Sequence, residues 1–454
     1  MKNMTLPEIA KACNGQLFGY VGNQVTEAAG VVIDSRQVGK NYLFIATVGE
    51  RVDGHNFIDD VFDKGALAVV CEKVPSSPKG PYILVSDSFL ALKDLATWYR
   101  MQLDVKVVGI TGSVGKTSTK EFISSVLSQK YKVLKTKGNF NNEVGMPLTI
   151  LKIQQDHEVA VLEMGISDFG EMHRLSEIAK PDIAVITNIG LCHLENLKSR
   201  QGIFKAKTEI FDFMNENGRV CVNGDDDLLA SLGEVHGQKP ITFGIHQTND
   251  IYASKVESLG LFGSTCELHV QDQVLSARIP LPGEHMVLNA AAAASVGILL
   301  SLTGTEIAAG IEAVQPVDGR SNIIRAEKWT IIDDCYNANP VSMKAAIDLL
   351  TVAGTNKVAI LGDMGELGAN EAALHKELGS YAATKNLDVI VCVGILSSNI
   401  YDGASDKFNG KLLYFSSREE LISSLPSIVK KNDTILVKAS HFMGFENVVQ
   451  ALLP

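Results

Sequence analysis

Residues 109–121 read GITGSVGKTSTKE, a glycine-rich turn entered from the apolar run VKVVGI and left into a helical stretch. A tight turn of this kind, followed at once by a helix start, aims backbone N–H groups at phosphate oxygens. Gly112 and Gly115 supply backbone freedom that no larger residue has, with Ser113 and Val114 between them. Lys116 can reach the outer phosphates of a nucleotide, the Thr117 hydroxyl can hold Mg²⁺, and Ser118 continues the turn into the helix. Position 110 is Ile where the longer phosphate-loop pattern has Gly, so this is a shortened G-x-x-G-K-T form. ATP handling follows. Hydrolysis, phosphoryl transfer and ligation all remain open at this point.

Further polar residues fall at strand ends. Glu163 ends EVAVLEM, and Asn188 and His193 follow DIAVITN. In an open α/β sheet the C-terminal strand ends are where ligands bind. Glu163 reads as a metal ligand or a helix-capping carboxylate. His193 reads as a metal ligand or as a loop histidine facing phosphate or solvent, since imidazole is not a favoured Mg²⁺ ligand. Lys205 and Lys207 lie in GIFKAKTEIF, where surface placement is the ordinary role. Lys207 stands one turn from Phe211 and so borders the apolar face. Asp225, Asp226 and Asp227 read as a solvated acidic turn.

The elements that must position these residues alternate strand and helix for most of the chain. A length of 454 residues exceeds what one core supports, so several domains are expected. Residues 1–100 form a small α/β unit and 101–317 a mainly parallel sheet around the phosphate loop. Residues 318–454 carry five strands alternating with helices, in the manner of a nucleotide-binding (Rossmann-like) domain. STCELHV and VLSARIP, at 264–270 and 274–280, read as an antiparallel pair. Pro340 suits the first turn of a helix. The net charge of −11 argues against a surface built to coat nucleic acid. Seven scattered cysteines form no metal or disulfide framework, which fits a reducing compartment. No apolar tract reaches ~20 residues, so a cytoplasmic protein without stable membrane insertion is expected. A monomer is the default expectation.

Several blocks together resemble one family, the peptidoglycan-precursor (Mur) ligases. They are DSR (34–36), TGSVGKTSTKE (111–121), GNFNNEVGMP (138–147), EMG (163–165), TNIGLCHLE (187–195), KAKTEIF (205–211), GEHMVLNAAAA (283–293), DGR (318–320), DDCYNANPVSM (333–343), LGDMGELG (361–368) and KASHFMGFE (438–446). The resemblance implies three domains: a UDP-sugar-binding domain at 1–100, an ATP-binding domain at 101–317 and a closing ligase domain at 318–454. It implies ATP-dependent C–N bond formation through an acyl phosphate. It places Asp34, Ser35 and Arg36 near the uridine diphosphate, and Glu163, His193 and Thr117 on Mg²⁺, of which two ions are expected. Lys207 matches the family lysine that carries a CO₂-derived carbamate and becomes a further metal ligand. Lys116, Lys207, His193 and Glu163 are then the catalytic group. Asn289 falls beside adenine, Arg320 near the phosphates and Asp334 near the ribose, with Asn337 on the nucleotide side. Asn139, Asn141, Asn142 and Asn339 fall on the substrate side. The member that adds a diamino acid carries Asn-Pro-Arg in its last domain. Residues 318–454 lack that signature, so the implied substrates are a UDP-N-acetylmuramoyl-tripeptide and D-alanyl-D-alanine. A folyl-polyglutamate-type ligase and a non-ligase P-loop ATPase are the competing readings.

Overall fold

The apolar runs become three separate sheets in the computed structural model, which describes residues 1–21 and 26–453. The first sheet has five strands among the described residues, in the order Gln16–Phe18, Tyr82–Leu84, Ala68–Cys71, Tyr42–Ile45 and Gly30–Val32. Only the first pair is antiparallel. The strand at Ala68–Cys71 is buried along its whole length, as expected of parallel strands covered on both faces.

The central sheet has nine strands among the described residues. The phosphate-loop strand Lys106–Thr111 lies between Val159–Glu163 and Ile183–Ile186, with Val133–Lys135 beyond the former. On the other side Arg219–Asn223, Ile241–Gly244 and Ile251–Ser258 continue in parallel. Ser264–Val270 and Gln273–Ile279 then close that edge as an antiparallel pair. Because parallel strands share one direction, the C-terminal ends of Lys106–Thr111, Val159–Glu163 and Ile183–Ile186 lie on one rim. That rim carries the phosphate loop, Glu163 and the 187–193 segment.

The Ala-rich helix His285–Leu299 has residues 290–294 buried, because it runs against the phosphate-loop helix Lys116–Leu127 and the sheet. Small side chains permit that approach. At the neighbouring helix Gly304–Glu312, a Cβ on Gly310 would stand 2.3 Å from Val126 Cα.

The third sheet orders Asn322–Arg325, Thr330–Asp333, Thr434–Lys438, Lys357–Gly362, Val389–Val393 and Lys411–Phe415. Only Asn322–Arg325 runs antiparallel. This edge strand, Gln16–Phe18 and Ile251–Ser258 go beyond the strands expected from sequence. The first two are only three or four residues long, too short to display a period, and the last alternates only over its first residues before running exposed from Lys255 to Ser258.

Core continuity differs between the bodies. The first sheet and one face of the central sheet share a single buried cluster, running from Met4 through Tyr99 to Leu229. Polar ties reinforce it: Tyr99 donates its hydroxyl to Ile153 O at 2.7 Å, and Arg100 Nε donates to Ala179 O at 3.1 Å. The third sheet keeps two cores of its own. It meets the central body through isolated contacts, such as the Arg325 guanidinium 4.4 Å from the centre of the Phe262 ring. A domain joined so sparsely is free to move as a unit. The total accessible surface, 19576 Å², exceeds the roughly 17,000 Å² of one compact body of this mass, as separate bodies around a cleft require. Among the described residues no helix is long and apolar enough to cross a membrane. All seven cysteines are buried and unpaired.

Candidate functional site

The turn at 112–115 takes its shape from backbone sterics and from a brace behind it. Gly112 has φ +150° and Gly115 +82°, and a Cβ on Gly112 would fall 1.9 Å from Thr187 Oγ1. Neither position admits a side chain without strain. The segment after strand Ile183–Ile186 braces the turn. Asn188 accepts from Val114 N at 3.1 Å and donates to Val114 O at 3.0 Å, so its amide is spent on loop structure. Thr187 Oγ1 donates to Val114 O at 2.6 Å, and Gly190 N donates to Ser113 Oγ at 2.9 Å.

With the turn fixed, the N–H groups of Gly115, Lys116, Thr117 and Ser118 have no partner among the described residues. They are the orphan donors of a helix start, and they converge with the positive end of the helix dipole. Lys116 Nζ donates to Gly112 O at 2.8 Å. Burial pushes this lysine below its ordinary range, while the Glu163 and Cys192 groups oppose the shift.

A cavity of about 530 Å³ opens over this turn. The central body supplies residues 113–119, His193 and Asn289 to its wall. The third body supplies Arg320, Asp334, Asn337, Asn339 and Glu366. Asn289 accepts from Thr119 Oγ1 at 2.9 Å. Asp334 accepts from the buried Lys438 Nζ at 2.6 Å and from Ser321 N at 3.0 Å. The Arg320 guanidinium lies 4.0 Å from the Tyr336 ring centre. His285 also faces the cavity, and burial lowers its proton affinity despite Asp334 nearby.

Glu163 and Lys207 do not line the cavity. Lys116 is within electrostatic reach of both. Glu163 is 2% exposed; its Oε1 accepts from Asn141 Nδ2 at 2.8 Å and its Oε2 has no hydrogen-bond partner. Lys207 is 1% exposed and its Nζ has no hydrogen-bond or ion-pair partner among the described residues, whereas Lys205 is exposed. Burial, with the Lys116 charge adding to it, pulls the Lys207 amine down to about 8. His193 Nδ1 stands 2.6 Å from Glu366 Oε2 across the two bodies, an ion-pair contact outside hydrogen-bond angles. The imidazole holds the Glu366 carboxyl below the usual carboxylate range.

Other residues expected at the site have structural engagements or lie apart. Asp34 caps a short 3₁₀ turn and pairs with the exposed Arg36 at 2.8 Å, with Ser35 in the same turn on the first sheet. Asn142 accepts from Gly145 N at 2.8 Å and from Val144 N at 3.2 Å just ahead of the helix Gly145–Ile150, while Asn139 is solvent-exposed. Asn339 is the N-cap of Pro340–Thr351, with Ser342 completing the capping box. Asp225–Asp227 is a solvated turn only at Asp227, which is exposed. Asp226 accepts from Ile189 N at 2.8 Å and from the first turn of Asp227–Ala230, and so ties the 187–193 segment down.

Sequence reasoning passed over Lys120. It sits one helical turn after Lys116, 2% exposed, with Nζ 3.2 Å from Glu121 and 3.8 Å from Glu163. It offsets the buried Glu163 charge, and its i+4 spacing from Lys116 was the available signal. Breaking a buried pair costs about 3 kcal/mol or more. Lys120→Met keeps the volume and removes the charge, so the central body should melt roughly 6–12 °C lower by scanning calorimetry. An unchanged melting temperature would show that the charge contributes nothing to stability.

No group of three or more His, Cys, Asp or Glu residues forms a metal cage among the described residues. The buried Glu163 Oε2, which accepts no hydrogen bond and has only the Lys120 ammonium near it at 3.8 Å, nevertheless suits a hard cation, and the Thr117 hydroxyl and His193, which line the cavity, are donors of the right kind. Mg²⁺ takes one or two protein carboxylates and completes its shell with phosphates and water. The residues therefore fit Mg²⁺ held together with a nucleotide.

Comparison with known proteins gives a consistent pattern. Models for the Mur ligase family, catalytic domain, the Mur ligase middle domain and the Mur ligase, glutamate ligase domain match residues 27–91, 110–297 and 319–441. The chain is 37% identical to the UDP-N-acetylmuramoyl-tripeptide--D-alanyl-D-alanine ligase of Bacillus subtilis (strain 168), over 100% of this chain and 99% of that one. It superposes on a crystal structure of MurF from Acinetobacter baumannii with TM-score 0.90 and 33% identity, covering 99% and 98% of the two chains. MurF ligase from Thermotoga maritima in complex with ADP gives TM-score 0.80 and 32% identity, covering 93% and 96%.

Proposed function

The chain belongs to the Mur ligase family, and from that premise we infer that it joins D-alanyl-D-alanine to UDP-N-acetylmuramoyl-tripeptide at the expense of ATP. One observation carries the chemistry: four unpaired N–H groups and Lys116 open into a cavity walled by two bodies. A nucleotide held there presents its outer phosphate to a carboxylate arriving from the first-sheet side.

A carboxylate is a poor acyl donor because oxide cannot leave. Attack of a carboxylate oxygen on the terminal phosphorus of ATP forms an acyl phosphate and releases ADP. The neutral amine of D-alanyl-D-alanine then adds to the acyl carbon. Collapse expels phosphate, the nitrogen loses a proton, and an amide remains in the UDP-muramoyl-pentapeptide. The protein's part is to hold mutually repelling anions in contact. Lys116 and the loop amides offset the triphosphate charge, in a cavity from which the closing third body excludes water. Arg320 adds charge on the phosphate side.

We assign Asn289, Asp334 and Asn337 to the nucleotide. Asp34, Ser35 and Arg36 go to the UDP group, and Asn139, Asn141, Asn142 and Asn339 to the muramoyl-peptide side. Thr117, Glu163, His193 and a carbamate on Lys207 would hold Mg²⁺, which when bound supplies positive charge to the transferring phosphoryl group. The burial of Lys207 and its want of an anionic partner support the carbamate, because CO₂ adds only to a neutral amine. The enzyme would work in the cytoplasm, where ATP and the UDP-linked precursor are available.

A paired-substrate assay tests the reading. Phosphate release should require both the tripeptide nucleotide and D-alanyl-D-alanine, with a pentapeptide nucleotide seen by mass spectrometry. Exclusive use of a diamino acid would move the chain to a neighbouring ligase. Turnover on a folate substrate would favour the folyl-polyglutamate alternative.

A further inference from the structure

The third body reaches into the rim of the central sheet through one charged side chain. We propose that Glu366 is a positioning residue that fixes the His193 ring from across the interdomain cleft, so that His193 is set for its ligand only when the two bodies meet. The inference rests on the ligase reading for what His193 then holds.

Three observations carry it. The Glu366 carboxylate lies 2.6 Å from His193 Nδ1, which leaves Nε2 as the ring's remaining donor atom. The pair lies outside hydrogen-bond angles, so the carboxylate acts here through its charge, which favours a proton on the facing nitrogen and leaves the other nitrogen as the ligand. Both residues hold backbone conformations that side chains rarely adopt, φ +49° at His193 and +61° at Glu366. Non-glycine residues in that region mark positions the surroundings impose.

The segment that presents Glu366 is itself anchored. Gly365 N donates to Ser440 Oγ at 2.8 Å, Met364 N donates to His375 Nε2 at 2.9 Å, and Asp363 accepts from Ser397 N at 2.7 Å. Immediately beyond it, Gly368 holds φ +63° and faces the Glu195 backbone, which a Cβ there would meet at 3.8 Å, an ordinary packing distance between the two segments. Since the third body shares no core cluster with the central one, this contact reports directly on their approach.

The experiment uses the full chain with Glu366→Ala, Glu366→Gln, His193→Ala and the double variant. Two readouts are independent of turnover. Mn²⁺ affinity in the presence of ADP, followed by electron paramagnetic resonance, should weaken about tenfold in Glu366→Ala and less in Glu366→Gln, which retains an acceptor. The double variant should lose no more than His193→Ala, because Glu366 acts through that ring. In ¹⁵N-histidine spectra without metal, the His193 nitrogens should shift toward mixed tautomers in Glu366→Ala. Unchanged Mn²⁺ affinity and an unshifted His193 signal in Glu366→Ala, or losses that simply add, would overturn the proposal. If the wild-type chain fails the paired-substrate assay the ligase reading falls, whereas the ring signal still tests the Glu366 contact.

Discussion

Replacing Lys207 with alanine should lower the rate of amide formation by about 10²–10³-fold, the usual cost of deleting one pre-organised charge at a reacting centre, and added acetate or formate should restore part of the loss. The reason lies in the lysine's surroundings. A buried side chain with no anionic partner pays a desolvation cost for every proton it keeps. With its proton affinity lowered to about 8, far more of the amine is neutral near pH 7.5 than in an ordinary lysine, which is almost wholly protonated there. On the proposed reading the neutral amine would add to CO₂, forming an N–C bond and releasing a proton, and the product would be an anion. The sign with pH follows. Raising the pH through about 8 would favour modification, and lowering it would restore the ammonium and strip the carbamate. ¹³C-bicarbonate should give a carbamate signal that grows over that range and is absent from Lys207→Ala. Lys207→Arg keeps a cation that cannot be modified, so it should be as inactive as the alanine variant and resist rescue. A fully active enzyme in CO₂-free buffer with no such signal would remove the carbamate from the mechanism.

What was legible in the sequence was local. The phosphate loop announced itself because Gly112 and Gly115 are required by backbone sterics within six residues of Lys116 and Thr117. The strand–helix alternation followed from runs buried on both faces, such as Val159–Glu163. Helix capping was equally local: Asn339, Pro340 and Ser342 spell a capping box at the start of Pro340–Thr351. Long-range pairings were not legible. Nothing near Asp226 in the chain indicates that it will hold Ile189 N, or that Arg200 will lie against it at 3.3 Å. Lys120 was passed over because a lysine in a helix is ordinarily solvated, and only the packed sheet shows it facing Glu163. The His193–Glu366 contact depends on how two bodies with separate cores sit together, which no local pattern encodes.

The second large effect is expected at Lys116, and it acts through two routes of the same sign. Lys116→Ala removes the one cation of the phosphate loop, and ATP-dependent ligation should fall by at least about 10³-fold. The first route is direct. The Nζ now rests on Gly112 O at 2.8 Å, a bond a triphosphate can replace with a stronger charge-assisted one. The second route runs through Lys207, whose proton affinity the Lys116 charge helps to depress. Without that charge the Lys207 amine holds its proton more tightly, and a carbamate there loses a favourable cation. Both changes reduce modification at a given pH. The ¹³C-bicarbonate signal of Lys116→Ala should therefore be weaker than wild type at pH 7.5 and recover at higher pH, while ligation does not recover. Binding of the UDP-muramoyl substrate, measured by calorimetry without ATP, should stay within about twofold, because Asp34, Ser35 and Arg36 lie on a different sheet. Undiminished ligation would detach the loop from the chemistry. A bicarbonate signal as strong as wild type would instead show that the two lysines, though near one another, do not set each other's charge.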